Sequence, residues 1–340
     1  MTRGVTEEVR AGSFTPAWWA RGPHAQTLLA RILRPSHGPE LRRERLETPD
    51  GDFVDVDGAA ADAGLPPEAP LCIVLHGLEG SSASGYAART CRLLLEAGVR
   101  PFVLNFRSCS GELNRRLRSY HSGETGDLKF VAARLAKAHP GAPIGAIGYS
   151  LGGNALLCRL AEAGAVSEFR AAAAVSVPFD LAAGAARLET GMGRVYTRYF
   201  LGSLREKIAA KARRFPEARQ AAHVARRATT IREIDEAWTA PVHGFRDAAD
   251  YYAACSSLGR LPEIRVPTLL LQAADDPFLP RGTPQIVARV DNPVLDTAIT
   301  HFGGHLGYIS RNPEHRLWAE ARVVDWLARR LREDSTGDPE

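Results

Sequence analysis

The feature that most constrains the fold is a serine between glycines at residues 148–152, which read Gly-Tyr-Ser-Leu-Gly. An apolar run at 144–147 precedes it and an apolar segment at 154–160 follows it, which predicts a strand, a sharp turn and a helix. Glycines suit the positions around Ser150 because side chains there would collide with the strand and the helix. Such a turn lifts the Ser150 hydroxyl to the rim of a sheet. It also places the N–H of Leu151 at a helix N-terminus, which favours an anion.

Short apolar runs alternate with helical spacing on both sides of this turn. We predict strands at 71–75, 102–106, 144–147, 171–177, 268–272 and 295–300, and helices at 83–97, 127–139, 154–160, 282–290 and about 313–332. This alternation implies an α/β fold in which a mostly parallel sheet is covered by helices on both faces. The segment Pro49-Asp50-Gly51-Asp52 between two short polar-apolar runs predicts a hairpin ahead of the sheet.

The alternation is interrupted after Pro178. Residues 179–263 are rich in arginine and helical in pattern, without a strong strand, so we predict a helical lid or cap inserted into one core formed by 41–178 and 264–333. Residues 1–40 read as an N-terminal arm that packs on this core. Residues 334–340 are polar and are expected to be a disordered tail.

Charge is unevenly distributed. The chain has a formal charge of +4, yet residues 187–232 contain twelve Lys or Arg and three Glu, a local +9 that leaves −5 elsewhere. No basic residues alternate with aromatics in a nucleic-acid motif, so we expect no nucleic-acid partner. One hypothesis is that the basic segment draws anionic amphiphiles or membrane surfaces to the pocket, and the alternative is that its charged side chains are merely solvated.

Cysteine usage and the N-terminus indicate a cytoplasmic protein. The five cysteines are odd in number, widely spaced and free of CxxC pairs, which favours reduced thiols over disulfides or a zinc site. Residues 1–10 lack the apolar core of a secretory signal. The longest charge-free stretch, 141–158, is too short and too glycine-rich for a membrane span. We therefore expect a protein without metal or cofactor that is a monomer or a weak dimer.

Two further motifs supply partners for the serine. A serine hydroxyl becomes nucleophilic when a base takes its proton, and that base needs a third group to orient it. Asp275 and Asp276 follow strand 268–272, and His305 lies in a glycine turn after strand 295–300, so both loops reach the same edge of the sheet as Ser150. We favour Asp276, which precedes a Pro-x-x-Pro turn, over Asp275.

The base also has two candidates, because His301 directly follows strand 295–300. We favour His305, since its flexible glycine turn can reach across to the serine. The developing oxyanion needs two N–H donors. Leu151 supplies one, and the loop after strand 71–75 supplies the other, most simply at Leu78. His76 reads as a residue that shapes this loop, and Cys109 as a packing residue.

The motifs together make the chain resemble the YheT-like branch of the α/β-hydrolases, which is related to ABHD-type lipid hydrolases and to medium-chain ester-forming acyltransferases. They cover nearly the whole chain: GPHAQT at 22–27, LETPDGDFVDV at 46–56, HGLEGS at 76–81, NFRSCSGE at 105–112, YHSGETGD at 120–127, GYSLGGN at 148–154, DDPF at 275–278 and GGHLG at 303–307. Ser108 stands where this family usually has glycine. The segments around Arg107 and Asp127 have no assigned role; Arg107 is expected to pair with a carboxylate, and Asp127 to cap a helix.

The resemblance implies a serine hydrolase that acts on carboxylic esters, with Ser150, Asp276 and His305 at its triad positions and an acyl-enzyme intermediate. The substrate would be a small-molecule or lipid ester. Two alternatives stay open: an alcohol acyltransferase that uses the same triad, and a non-catalytic ligand-binding homologue. The apolar residues of the predicted lid are expected either to line an acyl channel or to pack on the core: Met192, Val195, Tyr196, Tyr199, Phe200 and Leu201.

Overall fold

The computed structural model describes residues 14–34, 38–59 and 64–333. Its strands are β1 (Leu41–Glu47), β2 (Phe53–Ala59), β3 (Leu71–Leu75), β4 (Arg100–Asn105), β5 (Ile144–Tyr149), β6 (Ala171–Val175), β7 (Thr268–Ala273) and β8 (Leu295–Thr300). They form one eight-stranded sheet in the order β1-β2-β4-β3-β5-β6-β7-β8. β2 pairs antiparallel with both of its neighbours, and all pairs from β4 to β8 are parallel. The predicted hairpin is present, since Glu47 faces Phe53 across the β1–β2 turn.

The core helices lie on both faces of the sheet. They are α1 (Pro23–Leu33), α2 (Gly85–Glu96), α3 (Gly126–Ala138), α4 (Leu151–Ala163), α11 (Thr283–Val287) and α12 (Trp318–Arg332). One face packs against α3 and α4, where Leu128 and Leu156 are buried. The other packs against α2 and α12, where Leu94 and Val323 are buried. The central strand β3 is fully buried along its length, as expected for a parallel strand covered on both sides.

Between β6 and β7 the chain forms only helices, which we call the helical segment (residues 181–263). They are α5 (Leu181–Leu188), α6 (Gly193–Arg214), α7 (Arg219–Ala225), α8 (Ile231–Ile234), α9 (Ala240–His243) and α10 (Ala248–Cys255), with a π-helical turn at Asp235–Thr239. The segment has its own small apolar cluster, which includes Leu201, Ile208 and Trp238.

Two predicted helices are shorter than expected. The last one begins at Trp318 rather than near residue 313, because Leu317 has a non-helical backbone (φ −103°, ψ 81°) and bridges to Ile309. The helix predicted at 282–290 is reduced to Thr283–Val287. The predicted tail, 334–340, and residues 1–13 of the predicted arm lie outside the described residues. Within the described ranges, no helix is both long enough and apolar enough to cross a bilayer.

Candidate active site

The serine turn has the strained geometry that its glycines predict. Ser150 has φ 52° and ψ −119°, a backbone conformation that residues other than glycine rarely adopt. A Cβ at Gly148 would come within 2.6 Å of the Gly152 carbonyl oxygen, and one at Gly152 within 2.5 Å of the His76 carbonyl oxygen. Glycine is therefore required on both sides, and the strain holds the Ser150 hydroxyl at the carboxyl edge of the sheet.

The structure brings together the three side chains that the sequence singled out. The Ser150 Oγ lies 3.0 Å from His305 Nε2, and His305 Nδ1 lies 3.0 and 3.2 Å from the two carboxylate oxygens of Asp276. The Asp276 carboxylate also accepts hydrogen bonds from the Gln272 side chain and the Phe278 N–H, at 3.0 and 2.9 Å. These bonds fix the carboxylate, and the carboxylate in turn can fix the imidazole.

The two competing candidates lie elsewhere. Asp275 points towards the histidine loop, where its carboxylate accepts the Gly304 N–H at 2.9 Å. Burial raises the pKa of the Asp275 carboxyl; the Gly304 hydrogen bond opposes the rise and the Asp276 charge adds to it. His301 follows β8 and is exposed to solvent. The geometry therefore assigns Asp275 to the support of the loop and leaves His301 outside the site.

The arm contacts the histidine loop directly, and the helical segment reaches it through Phe278. The Thr27 hydroxyl in α1 accepts the His305 N–H at 2.9 Å. The Phe278 ring stacks on the His305 imidazole at 4.0 Å with a 10° tilt, and Tyr196 of α6 packs on Phe278 at 4.9 Å. Sequence reasoning gave the GPHAQT motif no role at the site, and a threonine one turn into a helix offers no signal that could have revealed this one.

The loop after β3 offers a free N–H beside the serine. In the described part of the chain the N–H groups of Leu78 and Leu151 have no hydrogen-bond acceptor, whereas those on either side of Leu78 are both engaged, Gly77 with Tyr86 and Glu79 with Tyr120. Two unpaired donors at the edge of the sheet, one of them at the N-terminus of α4, are suited to an oxyanion.

His76 has the structural role expected of it. Its Nδ1–H donates to the Gly77 carbonyl at 2.8 Å and its Nε2 accepts the Phe106 N–H at 3.1 Å. Burial lowers the pKa of His76 to about 4, so the ring is neutral and holds the loop.

Glu79 joins this loop to the helical segment. Its carboxylate accepts hydrogen bonds from Tyr120, from the Ser203 hydroxyl and from the Lys207 ammonium, the last at 2.9 Å. The residue itself has φ 56°. Lys207 also approaches the Cys109 sulfur at 3.3 Å, and burial raises the pKa of that thiol to about 11. Cys109 is thus a buried thiol, consistent with packing.

A cavity of about 110 Å³ lies between the two free N–H groups and the helical segment. Leu78 and Leu151 are among the residues that line it. Apolar side chains of the helical segment line it as well, together with polar side chains: Leu204, Ile208, Ile234 and Trp238; then His121, His243, Asp235 and Lys207. A larger depression, about 300 Å³, lies beside Ile144 at the amino ends of the strands, away from Ser150.

The two motifs without an assigned role meet in a buried ion cluster. The Arg107 guanidinium binds both oxygens of Asp127, at 2.7 and 2.8 Å, and also reaches Asp50 and Asp52 at 2.7 and 3.0 Å. Asp127 lies inside the first turn of α3, whose N-cap is Thr125, so the expected capping role was wrong. Burial raises the pKa of the Asp127 carboxyl, and the hydrogen bond from Arg107 opposes that rise.

Ser108, the residue where the resemblance predicts glycine, has φ 66° and donates its hydroxyl to Asn114. The cluster holds the loops beneath the site rather than the site itself.

Some of the apolar residues in and just before α6 do not have the role expected of the predicted lid. Tyr196 and Leu201 are buried, but Met192, Val195 and Tyr199 are exposed and neither line a channel nor pack on the core.

The fold and the serine turn define an α/β hydrolase. A model of the alpha/beta hydrolase family matches residues 72–320, and the chain belongs to that family. It is 39% identical to a protein named putative esterase YheT from Escherichia coli (strain K12), over 96% of each chain. It is 31% identical to phospholipase ABHD3 from Mus musculus, over 87% of this chain and 73% of that one. A solved esterase from Pyrococcus furiosus shares the fold with a TM-score of 0.56 at 20% identity, over 86% of this chain and 91% of that one.

Proposed function

We propose that the protein is a carboxylic ester hydrolase in which Ser150 is the nucleophile, His305 the base and Asp276 its orienting acid. One observation carries the proposal: a single imidazole lies 3.0 Å from both a strained serine hydroxyl and a buried carboxylate. A neutral imidazole in that position can take the serine proton only if its other nitrogen carries a hydrogen. The Asp276 carboxylate selects that tautomer.

The proposed reaction has two halves. The Ser150 oxygen attacks the acyl carbon while its proton moves to His305 Nε2, and the carbonyl oxygen becomes an oxyanion between the N–H groups of Leu78 and Leu151. The carbon–oxygen bond to the alcohol then breaks, and the alcohol leaves with the proton from His305. Water adds to the acyl-enzyme by the same route, releasing the acid and restoring the Ser150 hydroxyl.

The cavity supports a short acyl group as the substrate's acid part. Leu78 and Leu151 line it, and at about 110 Å³ it is well below the size of pockets for drug-sized ligands, roughly 300–1,000 Å³. Its lining includes polar side chains, among them Lys207 and Asp235, which disfavours a long hydrocarbon chain. We therefore propose that the helical segment covers the acyl site as a lid.

The free state of the described cysteines supports a cytoplasmic location.

A fluorophosphonate probe tests the nucleophile directly. It should label the wild-type protein at Ser150 and fail to label Ser150→Ala, while Ser203→Ala, a serine of the helical segment, should label like wild type. A wild-type protein that resists the probe would point instead to a non-catalytic binding protein.

A panel of esters with acyl chains of increasing length tests the substrate class. We expect kcat/KM to be highest for the shortest chains and to fall once the acyl group outgrows the cavity. Added ethanol separates hydrolysis from acyl transfer, because a transferase would form the ethyl ester in place of the free acid. A preference for long acyl chains would contradict the assignment of this cavity.

A further inference from the structure

Large apolar side chains are exposed on two neighbouring helices. Ile32 of α1 is 77% exposed and Tyr199 of α6 is 57% exposed. Further residues share this exposure: Leu28 and Leu33 of α1, Val195 of α6, and Met192, which directly precedes α6. Trp18 and Trp19, just before α1, are also exposed. Scattered exposed apolar residues are ordinary, but a cluster of this kind marks an interaction surface.

The two helices form one surface. The Arg31 guanidinium donates to the Tyr199 hydroxyl at 2.7 Å and lies over the Tyr199 ring, 4.6 Å from its centre. His24 and Tyr196 are hydrogen-bonded at 3.0 Å. Leu28 and Ile32 flank Arg31 along α1, and Val195 lies one turn before Tyr199 on α6. We call Leu28, Ile32, Val195 and Tyr199 the α1–α6 face.

This face adjoins the candidate active site. The opposite side of α1 holds the histidine loop through Thr27, and Tyr196, one position after Val195, packs on the Phe278 ring that covers His305. Whatever binds the face is therefore brought beside the reacting groups.

The charged residues in the two segments that carry the face are all basic. Residues 14–34 and 191–205 contain no Asp or Glu. Four arginines on them are exposed: Arg21, Arg31, Arg194 and Arg198. Aromatic and aliphatic side chains bordered by arginine are what a surface needs in order to enter the headgroup layer of an anionic bilayer.

We propose that the α1–α6 face docks on a lipid surface that carries anionic headgroups, with Ile32 and Val195 inserted and Arg21 and Arg198 on the headgroups. The docked protein presents the mouth of its active site to the bilayer. This proposal goes beyond ester hydrolysis, because docking needs neither Ser150 nor turnover and can be measured on the Ser150→Ala protein.

Sedimentation with vesicles tests the proposal. Full-length protein should bind vesicles of equimolar phosphatidylcholine and phosphatidylglycerol, and bind phosphatidylcholine alone more weakly. Ile32→Ser combined with Val195→Ser should lower binding about tenfold to a hundredfold, because two inserted side chains are lost. Arg21→Glu combined with Arg198→Glu should lower binding to the anionic vesicles about tenfold or more at low salt.

Matched controls come from the region near the amino ends of the strands, away from the α1–α6 face. Val166 is 88% exposed in the turn that follows α4, so Val166→Ser removes an equally exposed side chain. Arg134→Glu combined with Lys137→Glu reverses two exposed charges near the end of α3. Both controls should bind like wild type. All variants should keep wild-type hydrolysis of a water-soluble ester, which shows that they are folded.

Three outcomes would overturn the proposal. The wild-type protein could fail to sediment with anionic vesicles, or the face variants could bind as well as their controls. Alternatively, sedimentation velocity could show a wild-type dimer that the Ile32 and Val195 changes dissociate, with no vesicle binding. The face would then be an interface with a second copy of the chain.

Discussion

The core and the helical segment are held together by different forces. The sheet and its covering helices form continuous apolar layers, in which β3 and β6 are fully buried. The helical segment has small apolar clusters of its own and meets the core at a few apolar residues, such as Tyr196 and Leu261, and through several polar contacts. Lys211 binds the Asn114 side chain, the Tyr251 hydroxyl accepts the Ser122 N–H, and Glu79 accepts from Ser203 and Lys207.

This difference has a functional consequence. Apolar burial is non-directional, whereas hydrogen bonds and buried ion pairs are directional and fix one orientation of the helical segment over the site. If that is correct, substitutions in the proposed triad of the core should abolish ester hydrolysis. Substitutions at the polar contacts should instead change how the helical segment covers the site and should lower the stability of the protein. The following predictions test this distinction, from the largest effect to the smallest.

Replacing the serine of the core should be far more damaging than replacing the serine of the segment. We expect Ser150→Ala to lower kcat on the order of 10⁶-fold without unfolding the protein, because the nucleophile is lost. Ser203→Ala removes one hydrogen bond to Glu79 and should cost about 1 kcal/mol of stability. Steady-state kinetics and thermal unfolding of both variants give the comparison. Comparable losses of kcat in the two would remove Ser150 from its assigned role.

Substitutions of the two neighbouring aspartates, Asp275 and Asp276, should also differ strongly in their effect on kcat. Asp276→Asn should lower kcat by about 10⁴, since the amide no longer stabilises the imidazolium or selects its tautomer. Asp275→Asn keeps an oxygen that can accept the Gly304 N–H, so kcat should fall less than about tenfold. The assay is kcat at a pH where both variants are folded. The opposite ranking would transfer the acid role to Asp275.

The contact between Glu79 and Lys207 should behave as a partly buried ion pair. Lys207→Met leaves the Glu79 carboxylate, only 4% exposed, without its cation and should destabilise the protein by about 1 to 3 kcal/mol. Glu79→Gln added to that change should recover part of the loss. A double-mutant cycle in urea measures the coupling free energy.

The exposed pair Arg246–Asp250 on the same segment is the control, and its coupling free energy should be clearly smaller because solvent screens exposed charges. Equal coupling in the two pairs would show that burial does not strengthen the contact with the core.

The last prediction concerns the helical segment and an effect confined to one end of the pH range. Burial raises the pKa of Asp235 to about 6, although the Tyr252 hydroxyl donates to its carboxylate. The stability that this group contributes is full below the pKa of the unfolded chain, near 4, and is lost as the pH rises through about 6. Asp235→Asn should therefore raise the free energy of unfolding by about 1 to 3 kcal/mol near pH 8 and change it little near pH 4. Urea unfolding at the two pH values measures this, and an equal effect at both would contradict the raised pKa.

Much of the core could be predicted from the sequence because its signals are local. The apolar runs at 71–75 and 268–272 correspond to strands within one residue, and the glycine beside Ser150 is demanded by the turn itself. The order of serine, aspartate and histidine loops along the chain was enough to predict that Ser150, Asp276 and His305 would meet. Parallel strands bring their carboxyl ends to one edge, so no knowledge of distances was needed.

The polar contacts between distant segments could not be predicted in this way. Arg107 joins Asp50, Asp52 and Asp127, and a charged residue in a sequence does not reveal which of many carboxylates it will meet. Asp127 looked like a helix cap because its local position permits that role, and the structure gives it a partner twenty residues away. The support of His305 by Thr27 spans 278 residues for the same reason.

The sequence by itself determined the class of this protein and the three side chains proposed to react, because strand and helix periods, glycine-dependent turns and loop order are properties of neighbouring residues. Only the tertiary structure decided which N–H groups stay free, which side chains line the cavity and which apolar residues face outward on α1 and α6. Those features depend on how separate elements pack against one another. Packing is set by the sum of many weak contacts across the whole chain rather than by any one segment.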